Sequence, residues 1–106
     1  MAGIFAATIT VSSAGTAVQI TSTPTPFEWA IFHIAEGNSN DVAIGASDVS
    51  MTNGLTLEVV GNNNYEKDSW RIDGKLFTES PPLDLSDFYV DATTNGDKIE
   101  VLAKVL

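Results

Sequence analysis

The chain has 106 residues, 43% of them hydrophobic, no cysteine, and a formal charge of −9 from 14 acidic and 5 basic residues. That length suits one domain, spanning 1–106, around one modest core, and the composition excludes collagenous, disulfide-framework and mostly disordered chains. The positive residues Lys67, Arg71, Lys75, Lys98 and Lys104 never form a run, so phosphate is repelled and neither nucleic acid nor an anionic membrane is expected as a partner.

Apolar and polar residues alternate with period two along nearly the whole chain, punctuated by turn residues at the spacing of an all-β protein. The alternation predicts a first strand over 4–11 with Phe5, Ala7, Ile9 and Val11 toward the core, followed by a turn from Ser12 to Gly15. A second strand over 16–22 sets Val18 and Ile20 on one face and Ala17, Gln19 and Thr21 on the other. Pro24 and Pro26 then end it. The most apolar segment, 27–34, is expected to be a central strand buried on both faces, one bearing Phe27, Trp29, Ile31 and His33, the other Glu28, Ala30, Phe32 and Ile34.

A solvated loop over 36–40 leads to a short strand at 42–44 that Gly45 closes. Asn53-Gly54 turns the chain into a strand over 55–60, and Gly61 to Asn64 form the loop after it. Asp73-Gly74 reads as a two-residue hairpin turn with positive φ, pairing Ile72 with Lys75 and Trp70 with Phe77. Beyond the break at Pro81-Pro82, residues 83–87 read either as extended or as one helical turn before a strand at 88–92. Thr94 to Asp97 turn the chain into a last strand over 98–106, in which Ile99, Val101, Ala103 and Val105 point inward and Leu102 stands out on an otherwise polar face. The expected fold is all-β, a small antiparallel β-sandwich or barrel of about eight strands. No apolar run approaches the about 20 residues needed to cross a bilayer, and Met1 to Ala7 lack the basic start of a secretory signal, so a soluble, unprocessed chain is expected.

His33 is the single imidazole, and any histidine-based catalysis or metal binding must centre on it. Mid-strand, between Phe32 and Ile34 and away from any nucleophile motif, it reads as a hydrogen-bonded strand histidine. Gly45-Ala46-Ser47-Asp48-Val49 lacks the second glycine of a nucleophile elbow. The loop starting at Asp91 has the first aspartate and the sixth-position Gly96 of a calcium loop, but Thr93 stands at its third position and Leu102 at its twelfth, and a hairpin turn explains the same residues. Trp29, Trp70, Tyr65 and Tyr89 raise a carbohydrate-binding module, in which planar rings stack on sugars. Against it, Trp29 sits in the expected central strand and Trp70 opposes Phe77, which leaves Tyr65 as the exposed ring. No motif calls for a catalytic residue, a metal or a cofactor, and the chain is read as not an enzyme.

The stretch Asp41-Val-Ala-Ile-Gly-Ala-Ser-Asp-Val-Ser-Met-Thr-Asn-Gly-Leu55 forms a strand, a glycine step and a turn; Leu83-Asp-Leu-Ser-Asp-Phe-Tyr-Val-Asp-Ala92 forms a polar turn entering an aromatic-rich strand. Together they resemble the small all-β head decoration, or cement, proteins of tailed bacteriophages, a likeness of pattern over the C-terminal two thirds of the chain. The resemblance implies a virion structural protein on the capsid surface, assembled in the host cytoplasm, with the major capsid protein as partner and a homotrimer as its usual state. A tail, neck or fibre position in the virion shares the same pattern. Contacts are expected at the chain ends, with Ala2, Gly3, Ile4 and Phe5 either an extended arm within 1–5 or the frayed tip of a first core strand. Leu102 on its polar face and the apolar terminal Leu106 complete the candidates.

Overall fold

The computed structural model describes residues 3–58, 68–74 and 81–106. The described chain is an antiparallel β-sandwich of two four-stranded sheets. Sheet A has the order β1-β8-β3-β6, and sheet B the order β2-β7-β4-β5. The strands are β1 Gly3–Thr10, β2 Val18–Gln19, β3 Phe27–Ile34, β4 Val42–Gly45, β5 Leu55–Leu57, β6 Ser69–Asp73, β7 Tyr89–Ala92 and β8 Lys98–Val105.

The core follows from side-chain parity. In β8, Ile99, Val101 and Ala103 are buried while Lys98, Glu100, Leu102 and Lys104 are exposed, the period-two alternation of a sheet packed on one face. Register carries this parity across sheet A: Ala7 lies opposite Val101, Val101 opposite Phe32, and Phe32 opposite Trp70. Large and small residues share this row, and they do so again where Phe5, Ala103, Ala30 and Ile72 line up, which suits close packing. Sheet B returns Val42, Ile44, Leu57, Val90 and Ala92, all buried, to the same core. Phe88 joins the layers; its ring lies 5.4 Å from that of Phe32, 5.9 Å from Phe27 and 6.5 Å from Trp70. Phe32 and Trp70 stack at 5.7 Å.

Two details of β3 depart from simple alternation. A bulge between Phe27 and Trp29 breaks the register with β8, so Phe27 joins the inward set and Glu28 turns outward. The expectation of burial on both faces holds on one side only. Trp29, Ile31 and His33 are half-buried, because no described layer packs on that side of sheet A.

Three aspartates tie loops to the sandwich. The buried Asp97 accepts the Ser39 and Asn40 N–H groups at 2.9 Å each, and Asn38 pairs its amide with both main-chain groups of Lys98. The loop over 36–40, solvated as expected, is thereby anchored. Asp91, also buried, accepts Gly15 N–H at 2.9 Å and Ala92 N–H at 2.8 Å. This gives the acidic turn a structural reason without a calcium loop. Asp84 settles the ambiguity at 83–87 by capping a 3₁₀ turn at Leu85–Asp87, accepting from Thr25 N–H, Ser86 N–H and Ser86 Oγ.

The turn expected at Asn53-Gly54 lies slightly earlier, where Ser50 and Asn53 exchange main-chain bonds at 3.0 Å. At Asp73-Gly74 the positive-φ hairpin is not formed, since Gly74 has no positive φ. Its N–H donates to Glu28 and its carbonyl accepts from Leu83. A side chain at Gly74 would collide with the Phe27 carbonyl oxygen and ring, so this glycine serves close approach. Lys75 and Phe77, the expected pairing partners, lie outside the described residues, as do Val59, Val60 and the 61–64 loop.

Gly74→Ala is expected to destabilise the protein by about 1–3 kcal/mol, the overpacking range, measured as a shift of the urea midpoint. Asp84 gives a pH-dependent case. Desolvation works against its charge, but the hydrogen bonds from Thr25 and Ser86 outweigh it and hold the carboxyl below its ordinary value of 3.8. A depressed folded value means the stabilisation is fully present above the unfolded value and is lost as pH falls through the folded one. Asp84→Ala should therefore cost about 1 kcal/mol at neutral pH, and the gap to the unsubstituted protein should close on acidification below pH 3.8. Denaturant titrations across that window measure both.

Candidate contact face

The outward side chains of sheet A form three cross-strand rows. Register sets Ile4, Lys104, Trp29 and Asp73 in one row, Ala6, Leu102, Ile31 and Arg71 in the next, and Thr8, Glu100, His33 and Ser69 in the third. The middle row is apolar until Arg71, and the flanking rows supply the charge. A shallow depression of about 660 Å³ lies over Ala6, Thr8, Ile31, His33, Glu100 and Leu102.

The charges are largely satisfied within the face. Lys104 Nζ stands 3.2 Å from Glu28 Oε2, which the β3 bulge turned outward, and Arg71 Nη2 stands 3.3 Å from Asp73 Oδ1. His33 lies between two carboxylates, its Nδ1 3.5 Å from Glu100 Oε1 and its Nε2 3.9 Å from Asp68 Oδ2, contacts that are ionic only when the imidazole is protonated. Ser69 is its cross-strand neighbour, but among the described residues no hydrogen bond joins the two. Exposed pairs of this kind add little stability, about 0–1 kcal/mol each. They leave a face that is close to neutral.

The rest of the described surface differs. Arg71, Lys98 and Lys104, all the lysines and arginines among the described residues, belong to β6 and β8 and point outward from sheet A. Asp48, Asp84 and Asp87 lie outside sheet A, and no strand of sheet B carries a lysine or arginine. A chain of charge −9 thus has one outer sheet face where acid is balanced by base.

Of the residues expected to make contacts, the structure brings together Ile4 and Leu102, both on this face and 64% and 42% exposed. Gly3, Ile4 and Phe5 are part of β1, paired with Val105, Lys104 and Ala103. Phe5 points inward and packs on the core. Leu106 lies just past β8, 41% exposed, with its N–H donating to the Pro26 carbonyl. Ala2 lies outside the described residues. Sequence reasoning missed Trp29 and Ile31, which flank Leu102 in the rows; the apolar Leu102 on a polar face was the signal that could have led to them.

Among the described residues, neither tryptophan offers an open platform. Arg71 Cζ sits 5.6 Å from the Trp29 ring centroid, so a cation already occupies that indole. Trp70 stacks on Phe32, and Tyr65 lies outside the described residues. No group of three or more metal-ligating side chains occurs among the described residues. No family profile, curated protein or solved structure matches this chain. The chemistry of the face itself is what bears on function.

Parity gives a direct test. Leu102→Ser is expected to change stability by less than about 0.5 kcal/mol, as for an exposed site, whereas Val101→Ser, one residue away and buried, should cost about 2–4 kcal/mol. Thermal or urea unfolding of the two variants makes the comparison.

Proposed function

We propose that this chain is a structural protein of a tailed-bacteriophage virion, a decoration protein seated on the outer capsid surface through the outer face of sheet A, with the major capsid protein as its partner. The observation that carries the reading is that face, on which Ile4, Ala6, Leu102 and Ile31 form an apolar centre between charges already paired with one another. The pattern of 41–55 and 83–92 supplies the virion context.

Such a role needs no reaction. A protein that binds an assembled lattice but not its separated subunits stabilises the lattice by RT ln(1 + [L]/Kd), and bridging several subunits raises the effective concentration of each contact. A neutral, apolar-centred face can dock without placing unpaired charge in the contact, which would be costly. The acidic remainder of the surface then faces solvent and keeps the coated particle soluble.

The purified protein should re-bind mature capsids of its own virus that have been stripped of it and raise their disruption temperature. Leu102→Glu should weaken that binding by about tenfold or more, the loss of roughly one well-packed contact, while leaving the fold intact. Absence of binding to the stripped shells would sink the proposal.

A further inference from the structure

We propose that two copies of this chain pair edge to edge and antiparallel through β1, so that sheet A of one continues into sheet A of the other. The ladder shows which groups are available. Val11 donates its N–H to Asp97 and accepts from Gly96, continuing the β1–β8 register that sets Ile9 opposite Ile99 and Thr10 opposite Lys98. Antiparallel bonding alternates residue by residue. Gly3, Phe5, Ala7 and Ile9 therefore bond toward β8, and Ile4, Ala6, Thr8 and Thr10 turn their N–H and C=O groups to the free edge. Among the described residues, these four have no backbone partner there.

Exposed strand edges are ordinarily blunted by charge, proline, a bulge or shortness. β1 uses none of these. It runs for 8 residues, Gly-Ile-Phe-Ala-Ala-Thr-Ile-Thr, without a charge, a proline or a register break. The other described edges are guarded: β2 has 2 residues, β5 has 3, and β6 carries Arg71 and Asp73.

The residues beside the edge determine what fits. On the inner side Phe5 and Ile9 are packed on the core yet only partly buried, and on the outer side Ile4 is 64% exposed. An occupant must bring apolar residues at period two inward and uncharged ones outward, and β1 itself does both. In a register that sets Ala6 opposite Ala6, Phe5 meets Ala7 of the second copy and Ile4 meets Thr8, large against small on each side. Such a contact is isologous and closes as a two-fold dimer.

Charge selects the same edge. Two chains of −9 repel, so they approach best where acid is scarcest, and β8, directly behind the uncharged β1, sets Lys98 and Lys104 against the single carboxylate of Glu100. Pairing of this kind is independent of the capsid assignment and would hold for the protein alone in solution.

Analytical ultracentrifugation of the full chain from micromolar to millimolar concentration should show a monomer–dimer equilibrium. Ala6→Lys and Ala6→Glu each place like charges across the two-fold axis, and each should sediment as a monomer with its β-sheet circular dichroism retained, since Ala6 makes no ladder bond to β8. Mixed in equal amounts, the two variants should form a heterodimer. On the unsubstituted protein, amide exchange at Ala6 and Thr8 should slow as concentration rises. An unsubstituted chain that stays monomeric throughout overturns the proposal. So does a dimer or trimer that both variants retain, or exchange at Ala6 and Thr8 that is fast at every concentration.

Discussion

The structure depends on the placement of β8 between β1 and β3, because that strand fixes the parity of sheet A. It pairs with β1 from Lys98 to Val105 and with β3 from Ile99 to Val105, so one alternation is copied to both neighbours. A shift of one residue would exchange Ile99, Val101 and Ala103 for Glu100, Leu102 and Lys104 in the core. Burying those charges would cost far more than any rim contact returns. The same constraint therefore produces the dry interior, the apolar stripe through Leu102 and the outward carbonyls of β1. Core, face and edge are consequences of one register.

Acidity has two roles. Asp84, Asp91 and Asp97 each accept two or three hydrogen bonds, mostly from backbone N–H groups of loops distant in sequence. A carboxylate suits this work because it offers several acceptor sites and makes charge-assisted bonds stronger than neutral ones. These aspartates hold the connections at one end of the sandwich and beside the 3₁₀ turn. Among the described residues, the exposed Asp48 and Asp87 have no such internal task, and their charge acts on whatever approaches the molecule.

Most of the fold was legible because it rests on local signals. Alternation marked the inward residues of β1 and β8, and the positive-φ positions of Gly15 and Gly96 were announced by turn sequences. What was not legible depends on contacts across the chain. The bulge at Phe27 to Trp29 exists because β8 must keep its register while Phe27 reaches the core. The role of Gly74 is set by Phe27, far away in sequence, and so an Asp-Gly pair that resembles a hairpin turn makes a close approach instead. Trp29 and Ile31 looked like core because an apolar strand face does not reveal whether another layer covers it. Leu102 was legible for the opposite reason, being apolar between Glu100 and Lys104 on its face, whereas Ile4 was marked only as part of an apolar chain end.

The size of the open face ties it to the β1 edge. Four strands about 4.8 Å apart, with eight residues rising about 3.3 Å each, span roughly 500 Å², short of the about 800 Å² per partner of a stable protein interface. A single sheet A is thus suited to a weak contact, one that holds only when repeated across a lattice or combined with others. Antiparallel pairing at β1 about an axis normal to the sheet keeps both outer faces on the same side. The joined eight-stranded sheet then presents roughly 1,000 Å², enough for one specific contact, and doubles the apolar stripe through Ile31, Leu102 and Ala6 across the new seam. The uncharged edge and the neutral face are in this respect one device, since pairing at the first enlarges the second.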